Sequence, residues 1–249
     1  MKCIKYGLLA SLFLIISCTA TKSSFNEISK EQFEKKINSI LVTPTQVNIA
    51  IGSKASISEL FSKTIESNIE IAGYDVIGLK EHNNIATKYN ELLMINSDSL
   101  ATYTQLLWHD RVQNLVTDGL KIKYSSSIDA VCSSYIVKVV ANHSGGNAYW
   151  HGASESLISD GNIAGKALST LGNMNTSGTV SAVSLGLYIS DKETNLLYKK
   201  YGGIQVMFKR GLLKPWINVP KDELFRYHYA NTKAVQYALG ELLPEIKGE

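Results

Sequence analysis

The 249-residue chain carries 25 Lys and Arg residues against 22 Asp and Glu residues, which gives a formal net charge of +3. The charges nearly balance, and the basic residues are scattered along the chain. The sequence therefore indicates no basic patch that would bind nucleic acid, which argues against that class of partner. A chain of this length suits one large domain and buries a sizeable core, and its three cysteines are too few for a disulfide framework.

Residues 1–17 have the pattern of a secretory signal peptide: a positively charged start, an apolar run over 8–16, and a small residue, Ser17, at the end. The apolar run is about half of the ~20 residues that a helix needs to cross a bilayer, which disfavours a permanent transmembrane anchor. The ending Ile-Ile-Ser-Cys resembles the bacterial lipobox, which implies that Cys18 takes a diacylglycerol and becomes the new N-terminus. An ordinary signal peptide with a chance cysteine at its end is the alternative.

Acyl chains on Cys18 would attach the mature chain to a membrane, and multiple chains anchor durably. Thr19 follows the cysteine, where enterobacteria-like systems use aspartate to hold lipoproteins at the inner membrane. The expected location is therefore the outer membrane of a Gram-negative host, facing the periplasm. We interpret residues 18–38 as the lipidated N-terminus and tether, and residues 39–249 as a single α/β domain.

The first part of this domain predicts a strand, a helix and a second strand. The apolar run over 39–43 predicts a buried strand. Ser56 and Glu59 have the spacing of a capping box, which indicates the start of a helix. Gly73 stands where that helix should end, and the run 74–79 predicts the next strand.

Two helices and a long strand are predicted next. The helices cover 84–94 and about 98–118, with Gly119 ending the second one. Apolar residues that recur every second position predict a central strand over 128–141, and Cys132 within it is interpreted as a buried core residue.

A hairpin and a last helix complete the predicted domain. The hairpin arms cover 180–190 and 196–208, and Gly202-Gly203 in the second arm indicates a bulge or bend. The last helix is predicted over about 221–243.

The segment 142–181 differs from the rest in its many Gly, Ser and Asn residues, and we interpret it as an insertion with a small helix over 160–172. Tyr149 and Trp150 lie in this segment, and large aromatic side chains in exposed loops are common anchors for partners. They are the candidate partner-binding residues, with local packing as the alternative. Trp216, in a loop between two prolines, has the same two interpretations.

The order of these elements resembles the TolB N-terminal-domain fold. The resemblance depends on the Ala-Gly-Tyr-Asp-Val sequence at 72–76 and on the hairpin strand 182–191. Outer-membrane lipoproteins with this fold include the curli secretion lipoprotein, activators of penicillin-binding proteins and a set of putative lipoproteins without assigned roles. It implies a mixed sheet of about four to five strands flanked by helices. The chain departs from the pattern in its longer insertion and in having Leu197-Tyr198 where the last strand often has tryptophan.

The chemical motifs are incomplete. The sequence Gly-Ala-Ser-Glu-Ser over 152–156 lacks the second glycine of a nucleophile elbow. An alternative hydrolase would use His143 or His151 as a base with Ser154 or Glu155 as its partner. No histidine pair has metal-ligand spacing, so neither a metal nor a cofactor is expected.

The leading hypothesis is a non-enzymatic outer-membrane lipoprotein that binds other envelope proteins, in secretion, surface-structure assembly or control of cell-wall synthesis. A second copy of the chain is an alternative partner. The competing hypotheses are the periplasmic hydrolase and a periplasmic module that binds a small ligand or a glycan. A cleft that joins His143, His151 and Glu155 would favour the hydrolase.

Overall fold

The structure is a computed structural model that describes residues 24–26, 28–51, 54–84, 116–124, 126–158, 177–210, 216–221 and 223–243. The predicted signal peptide, Cys18 and the helix predicted over 160–172 lie outside these residues. The helices predicted over 84–94 and 98–118 lie mostly outside them. Within the described part, no helix combines the length and the apolar composition needed to cross a membrane.

The described residues confirm a mixed α/β fold, with an eight-stranded curled sheet, a separate two-stranded ladder and five helical stretches. The sheet contains β1 (Ser39–Val42), β2 (Gln46–Val47), β3 (Asp75–Ile77), β4 (Ala130–Ser144), β5 (Asn147–Trp150), β6 (Ala153–Ser156), β7 (Ser177–Asp191) and β8 (Leu196–Val206). The ladder pairs β9 (Phe208–Lys209) with β10 (Ile217–Asn218). The helices are α1 (Lys30–Lys36), α2 (Lys54–Ile71), α3 (79–84), α4 (116–123) and α5 (His228–Leu239).

The long strand β4 organises the sheet. It runs antiparallel to β7 over its whole length, from Ala130 opposite Asp191 to Ser144 opposite Ser177, and β7 pairs in turn with β8. The other edge of β4 takes β1 and β2 in parallel and then β5 in antiparallel. The short strand β3 adds to β1 in parallel.

The prediction of a four- to five-stranded sheet is wrong, because β2, β5 and β6 belong to the sheet as well. The two-residue β2 is too short to show an alternating pattern. β5 and β6 lie in the segment interpreted as an insertion, where Gly, Ser and Asn resemble loop composition. The ends of that segment, 142–144 and 177–181, are continuous parts of β4 and β7.

One face of the sheet packs against α1, α2 and α5 and forms the main core. Each of these helices contributes fully or nearly fully buried side chains, as do the strands below them: Phe33, Ile40, Phe61, Ile65, Leu185, Leu187, Tyr198 and Val235. Cys132 is 1% exposed in this core, as predicted, and burial raises the pKa of its thiol to about 12. Such a thiol stays protonated and chemically inert at neutral pH.

The start of α2 differs from its prediction. The helix begins at Lys54, so Ser56 lies inside the helix rather than at its N-cap, and the carboxylate of Glu59 pairs with Lys63 at 2.6 Å. The predicted end is confirmed, since Gly73 has φ of 94°, which glycine adopts without steric cost.

The end of α4 and the start of α5 were both predicted incorrectly. Gly119 does not end α4, which continues to residue 123. The last helix begins at His228 rather than at 221, because Leu224 and Phe225 turn into the core and Phe225 has φ of 72°. The side-chain amide of Asn231 donates to the carbonyl of Phe225 at 2.7 Å and fixes this turn.

The second face of the sheet is covered at both of its ends. At one end α4 packs on β1 and β4 through Leu41, Leu120 and Val131. At the other end the β5–β6 hairpin curls across β7 and β8 and encloses a small second core of Ala141, Ala148, Trp150, Leu157, Val180, Ala182 and Val206. The middle of this face lies between the two covers.

The Gly202-Gly203 pair permits close packing on both faces of β8. A Cβ atom on Gly202 would overlap the backbone oxygen of Ala234 in α5, and one on Gly203 would lie 2.7 Å from the backbone oxygen of Trp150. The predicted bulge is confirmed directly after this pair, where the register with β7 shifts between Val183 and Ser184. Helix and hairpin therefore both approach a strand without side chains at the crossing point.

We expect Gly202→Ala and Gly203→Ala each to lower the free energy of unfolding by about 1–3 kcal/mol, because backbone atoms must move to admit the methyl group. Gly146→Ala is the matched control, since its Cβ would meet only the flexible end of Ile158, at 3.2 Å. Urea unfolding of the three variants measures the difference. Equal stability of all three would show that neither crossing depends on glycine.

The residues just after the expected tether pack on the folded body. Backbone hydrogen bonds join Asn26 N to Leu197 O and Lys199 N to Ser24 O, both at 2.8 Å, along the outer edge of β8. The Ser24 hydroxyl also bonds to the carboxylate of Glu241, which pairs with Lys200. Within the stretch interpreted as a tether, residues 24–26 and 28–38 therefore belong to the domain.

The carboxylate of Glu241 couples this docking to pH. Burial alone would raise its pKa, but the hydrogen bonds from Ser24 and Lys200 outweigh burial and lower it. A glutamate whose pKa is lowered by folding stabilises the fold at neutral pH and loses that effect as pH falls through its folded-state pKa. We expect Glu241→Gln to be less stable than the native chain at pH 7, and we expect this difference in stability to shrink as pH falls through the lowered folded-state pKa of Glu241.

Urea unfolding over this pH range measures the effect. Glu193→Gln, at an exposed position in the β7–β8 turn, serves as the control and should follow the native profile. A stability difference for Glu241→Gln that stayed constant down to the acid limit would show that its carboxylate charge plays no part.

Candidate functional site

Trp150 does not lie in an exposed loop, and local packing, the alternative interpretation, holds for this residue. Trp150 is the last residue of β5, is 7% exposed in the second core, and donates from Nε1 to the Val183 carbonyl at 3.1 Å. Tyr149 points the opposite way, as alternation along a strand requires, and is 49% exposed.

We expect Trp150→Ala to lower the free energy of unfolding by about 3–5 kcal/mol, since it empties a core position and leaves the Val183 carbonyl without its donor. Trp216→Ala is the control, because Trp216 is 38% exposed and lies over the buried ring of His143 beside Arg210. Its cost should be below about 1 kcal/mol. Equal melting temperatures for both variants would contradict the core assignment.

The residues of the hydrolase hypothesis contact different groups in the structure. His143 is buried edge-to-face against Trp216, with ring centroids 5.9 Å apart. Glu155 accepts from the backbone N–H of Val206 at 2.7 Å and pairs with Lys209 at 3.0 Å, so it ties β6 to β8 and β9. Ser154 lies on the opposite face of β6 from Glu155 and is exposed.

His151 has different neighbours again. Its Nδ1 atom lies 2.8 Å from the hydroxyl of Ser184, and its ring stacks on Tyr201 with centroids 5.0 Å apart. Burial lowers the pKa of His151, which favours the neutral ring at pH 7. His143, His151 and Glu155 therefore each contact different groups, and the described residues contain no group of three metal-ligating side chains.

The uncovered middle of the second sheet face forms a concave site of about 490 Å³. We call it the tyrosine groove. It is lined by Asn48, Ser133, Tyr135, Val137, Gly186, Tyr188, Ser190, Thr194, Leu196 and Tyr201. Its volume falls within the range of about 300–1,000 Å³ that is typical of small-molecule sites.

Strand register brings the three tyrosines together. Tyr135 on β4 and Tyr201 on β8 both lie opposite Gly186 on β7, and Tyr188 is the next residue of β7 on the same face. The rings of Tyr135 and Tyr188 meet edge to face at 5.5 Å, and those of Tyr188 and Tyr201 at 6.0 Å. Two neighbouring strands thus present aromatic rings around a third strand that carries glycine between them.

Gly186 gives the rings their position. A Cβ atom there would lie 2.9 Å from the ring of Tyr201 and 3.3 Å from the ring of Tyr188. The rings therefore lean over the sheet instead of standing away from it. The hydroxyls of Tyr188 and Tyr201 bond to each other, and burial together with this bond raises the pKa of Tyr188. The phenol is consequently neutral at physiological pH.

The groove is closed by different groups at its two ends. At one end His151 stacks on Tyr201, where the β5–β6 hairpin crosses β8. At the other end Thr194 and Leu196 belong to the β7–β8 turn and the start of β8. Beside the groove, Lys199 holds its Nζ atom 5.1 Å from the ring centre of Tyr188 and 5.7 Å from that of Tyr201.

The described lining contains no Asp, Glu, Lys or Arg side chain. Sequence reasoning did not identify the groove, although a signal for it exists. Gly186 and Tyr188 alternate with the core residues Leu185 and Leu187, and Tyr135 alternates with the buried Ser134 and Ile136. Tyrosine on the face opposite the core side chains indicates an aromatic surface, but the alternation alone only predicts a strand.

Comparison with known protein families, curated proteins and solved structures finds no significant match to this chain.

Proposed function

We propose that this chain is a lipid-anchored lipoprotein of the cell envelope that acts by binding, with the tyrosine groove as its binding surface. The observation that carries the proposal is the groove itself: a concave site of about 490 Å³ whose described lining has three aromatic rings and no charged side chain. Concave sites with aromatic walls and a few polar groups are the usual form of a binding site. The lipobox sequence that ends at Cys18 supplies the proposed anchor.

The contacts of the N-terminal segment bear on the position of the groove relative to the membrane. The chain from Cys18 to Ser24 spans six residues, which reach at most about 20 Å when fully extended. Ser24 is docked on the edge of β8, and the side chain of Asn26 donates to the carbonyl of Leu196, a groove residue, at 3.1 Å. A lipid on Cys18 would therefore hold the groove close to the membrane surface.

The proposed class of protein is the outer-membrane lipoprotein with a TolB N-terminal-domain-like fold. The mixed sheet, with helices packed on both faces, is compatible with that fold. The resemblance supports a role in secretion, in surface-structure assembly or in control of cell-wall synthesis. The ligand of the groove would then be a component of the envelope.

Photo-crosslinking in intact cells tests the proposal, with a photoreactive residue in place of Tyr188 in the groove. We expect a specific adduct, because a ligand in the groove would lie against this ring. The control places the same residue at Tyr229 on α5, which is 71% exposed and outside the groove. Cys18→Ala should leave an unprocessed precursor or a product without acyl chains, and it should reduce the adduct at 188, since the mature chain is then no longer held at the outer membrane by a lipid.

Equal labelling at both positions, or no labelling at 188, would overturn the assignment of the groove as the binding surface. Recovery of the native chain in the soluble fraction, with a free cysteine at its N-terminus by mass spectrometry, would overturn the lipid anchor.

A further inference from the structure

We propose that the ligand of the tyrosine groove is a neutral glycan, with sugar units laid against the rings of Tyr135, Tyr188 and Tyr201. This inference rests on the proposed function, since it names the chemical class of ligand for the same surface. It follows from the chemistry of the lining, from the rigidity of the rings and from the distribution of charge.

The lining has the two kinds of group that a sugar ring requires. A pyranose presents C–H bonds on its faces and hydroxyl groups around its edge. Among the ten described lining residues, seven carry a hydroxyl or amide side chain and none carries a charge. The tyrosine rings offer flat apolar surfaces for the C–H faces, and their hydroxyls, together with Ser133 and Ser190, offer partners for the edge.

The rings are also held in place before a ligand binds. Edge-to-face contacts at 5.5 and 6.0 Å fix Tyr188 between Tyr135 and Tyr201, and the ring of His151 stacks on Tyr201. Tyrosine loses little rotamer entropy on binding, and rings already ordered by their neighbours lose less. This is favourable for a glycan, because each sugar unit contributes only weak individual contacts.

The charge around the groove argues against other ligands that stack on aromatic rings. Single-stranded nucleic acid stacks on such rings, but it needs a positively charged groove for its phosphates. Among the described residues, only Lys199 places a cation over the rings of Tyr188 and Tyr201. A strongly acidic glycan would also lack paired charges in this lining. A neutral saccharide requires none.

Isothermal titration calorimetry of the purified full-length lipoprotein tests the inference, in a detergent that contains no sugar. The probes are three neutral tetrasaccharides, from cellulose, chitin and maltodextrin, and one anionic tetrasaccharide derived from heparin. We expect at least one neutral probe to bind. We expect Tyr135→Ala and Tyr201→Ala to weaken that binding at least tenfold, because each removes a stacking surface.

Two further variants distinguish the loss of an aromatic ring in the groove from a general effect on the fold. Tyr135→Phe keeps the ring and should retain most of the affinity that Tyr135→Ala loses. Tyr229→Ala removes an exposed tyrosine outside the groove and should bind like the native chain. Melting temperatures of all variants, and saturation-transfer NMR of the bound saccharide, show whether a loss of binding arises at the groove or from unfolding.

The outcomes are distinct. Absence of binding by all three neutral probes, or preferential binding of the heparin fragment, overturns the glycan assignment. If the photoreactive residue at 188 captures a protein while no neutral probe binds, the glycan assignment fails and the proposed function stands. If the groove captures nothing and no saccharide binds, both fail.

Discussion

The pairing of β4 with β7 is the constraint on which the rest of the structure depends. Fifteen consecutive residue pairs keep the two strands in one register from Ala130 to Ser144, so each side of the sheet has a continuous face. The face with Leu185 and Leu187 is covered by helices along its length. The opposite face is longer than either of its covers, α4 at one end and the β5–β6 hairpin at the other. The tyrosine groove is the part of this face that neither cover reaches.

The shape of that face is set by missing side chains as much as by those present. Gly203 lets the β5–β6 hairpin cross β8 at backbone distance, which closes one end of the groove, and Gly202 lets α5 support the same strand from behind. Gly186 then gives the rings of Tyr188 and Tyr201 room to lean over the floor. A glycine in a strand interior usually weakens the strand, because it contributes no packing and gains entropy on unfolding. Here each glycine permits a contact that a methyl group would block.

Sequence patterns predicted the elements with a clear apolar signal. Strands β1 and β3 were predicted from short apolar runs, β4 and β7 from alternating apolar residues, β8 as the returning arm of a hairpin, and helix α2 from the signals at its ends. The β5–β6 hairpin was not, since its buried side chains, Ala148 and Trp150, face a small second core and are separated by exposed polar residues. This is why Trp150 resembled a loop anchor. The groove could not be predicted from any single strand, because Tyr135, Gly186 and Tyr201 meet only through the register of three strands.

The edge of β8 links the groove to the N-terminal segment. An unpaired strand edge is a template for association with other chains, and here backbone hydrogen bonds from residues 24–26 cover it at Leu197 and Lys199. The same strand carries Tyr201 into the groove three residues after Tyr198, whose ring packs against Phe25 at 5.2 Å. A force on the N-terminus would therefore reach β8 through the backbone hydrogen bonds of residues 24–26 and through the contact between Phe25 and Tyr198. In a lipid-anchored chain, the interaction that protects the sheet edge would also fix the direction in which the groove faces.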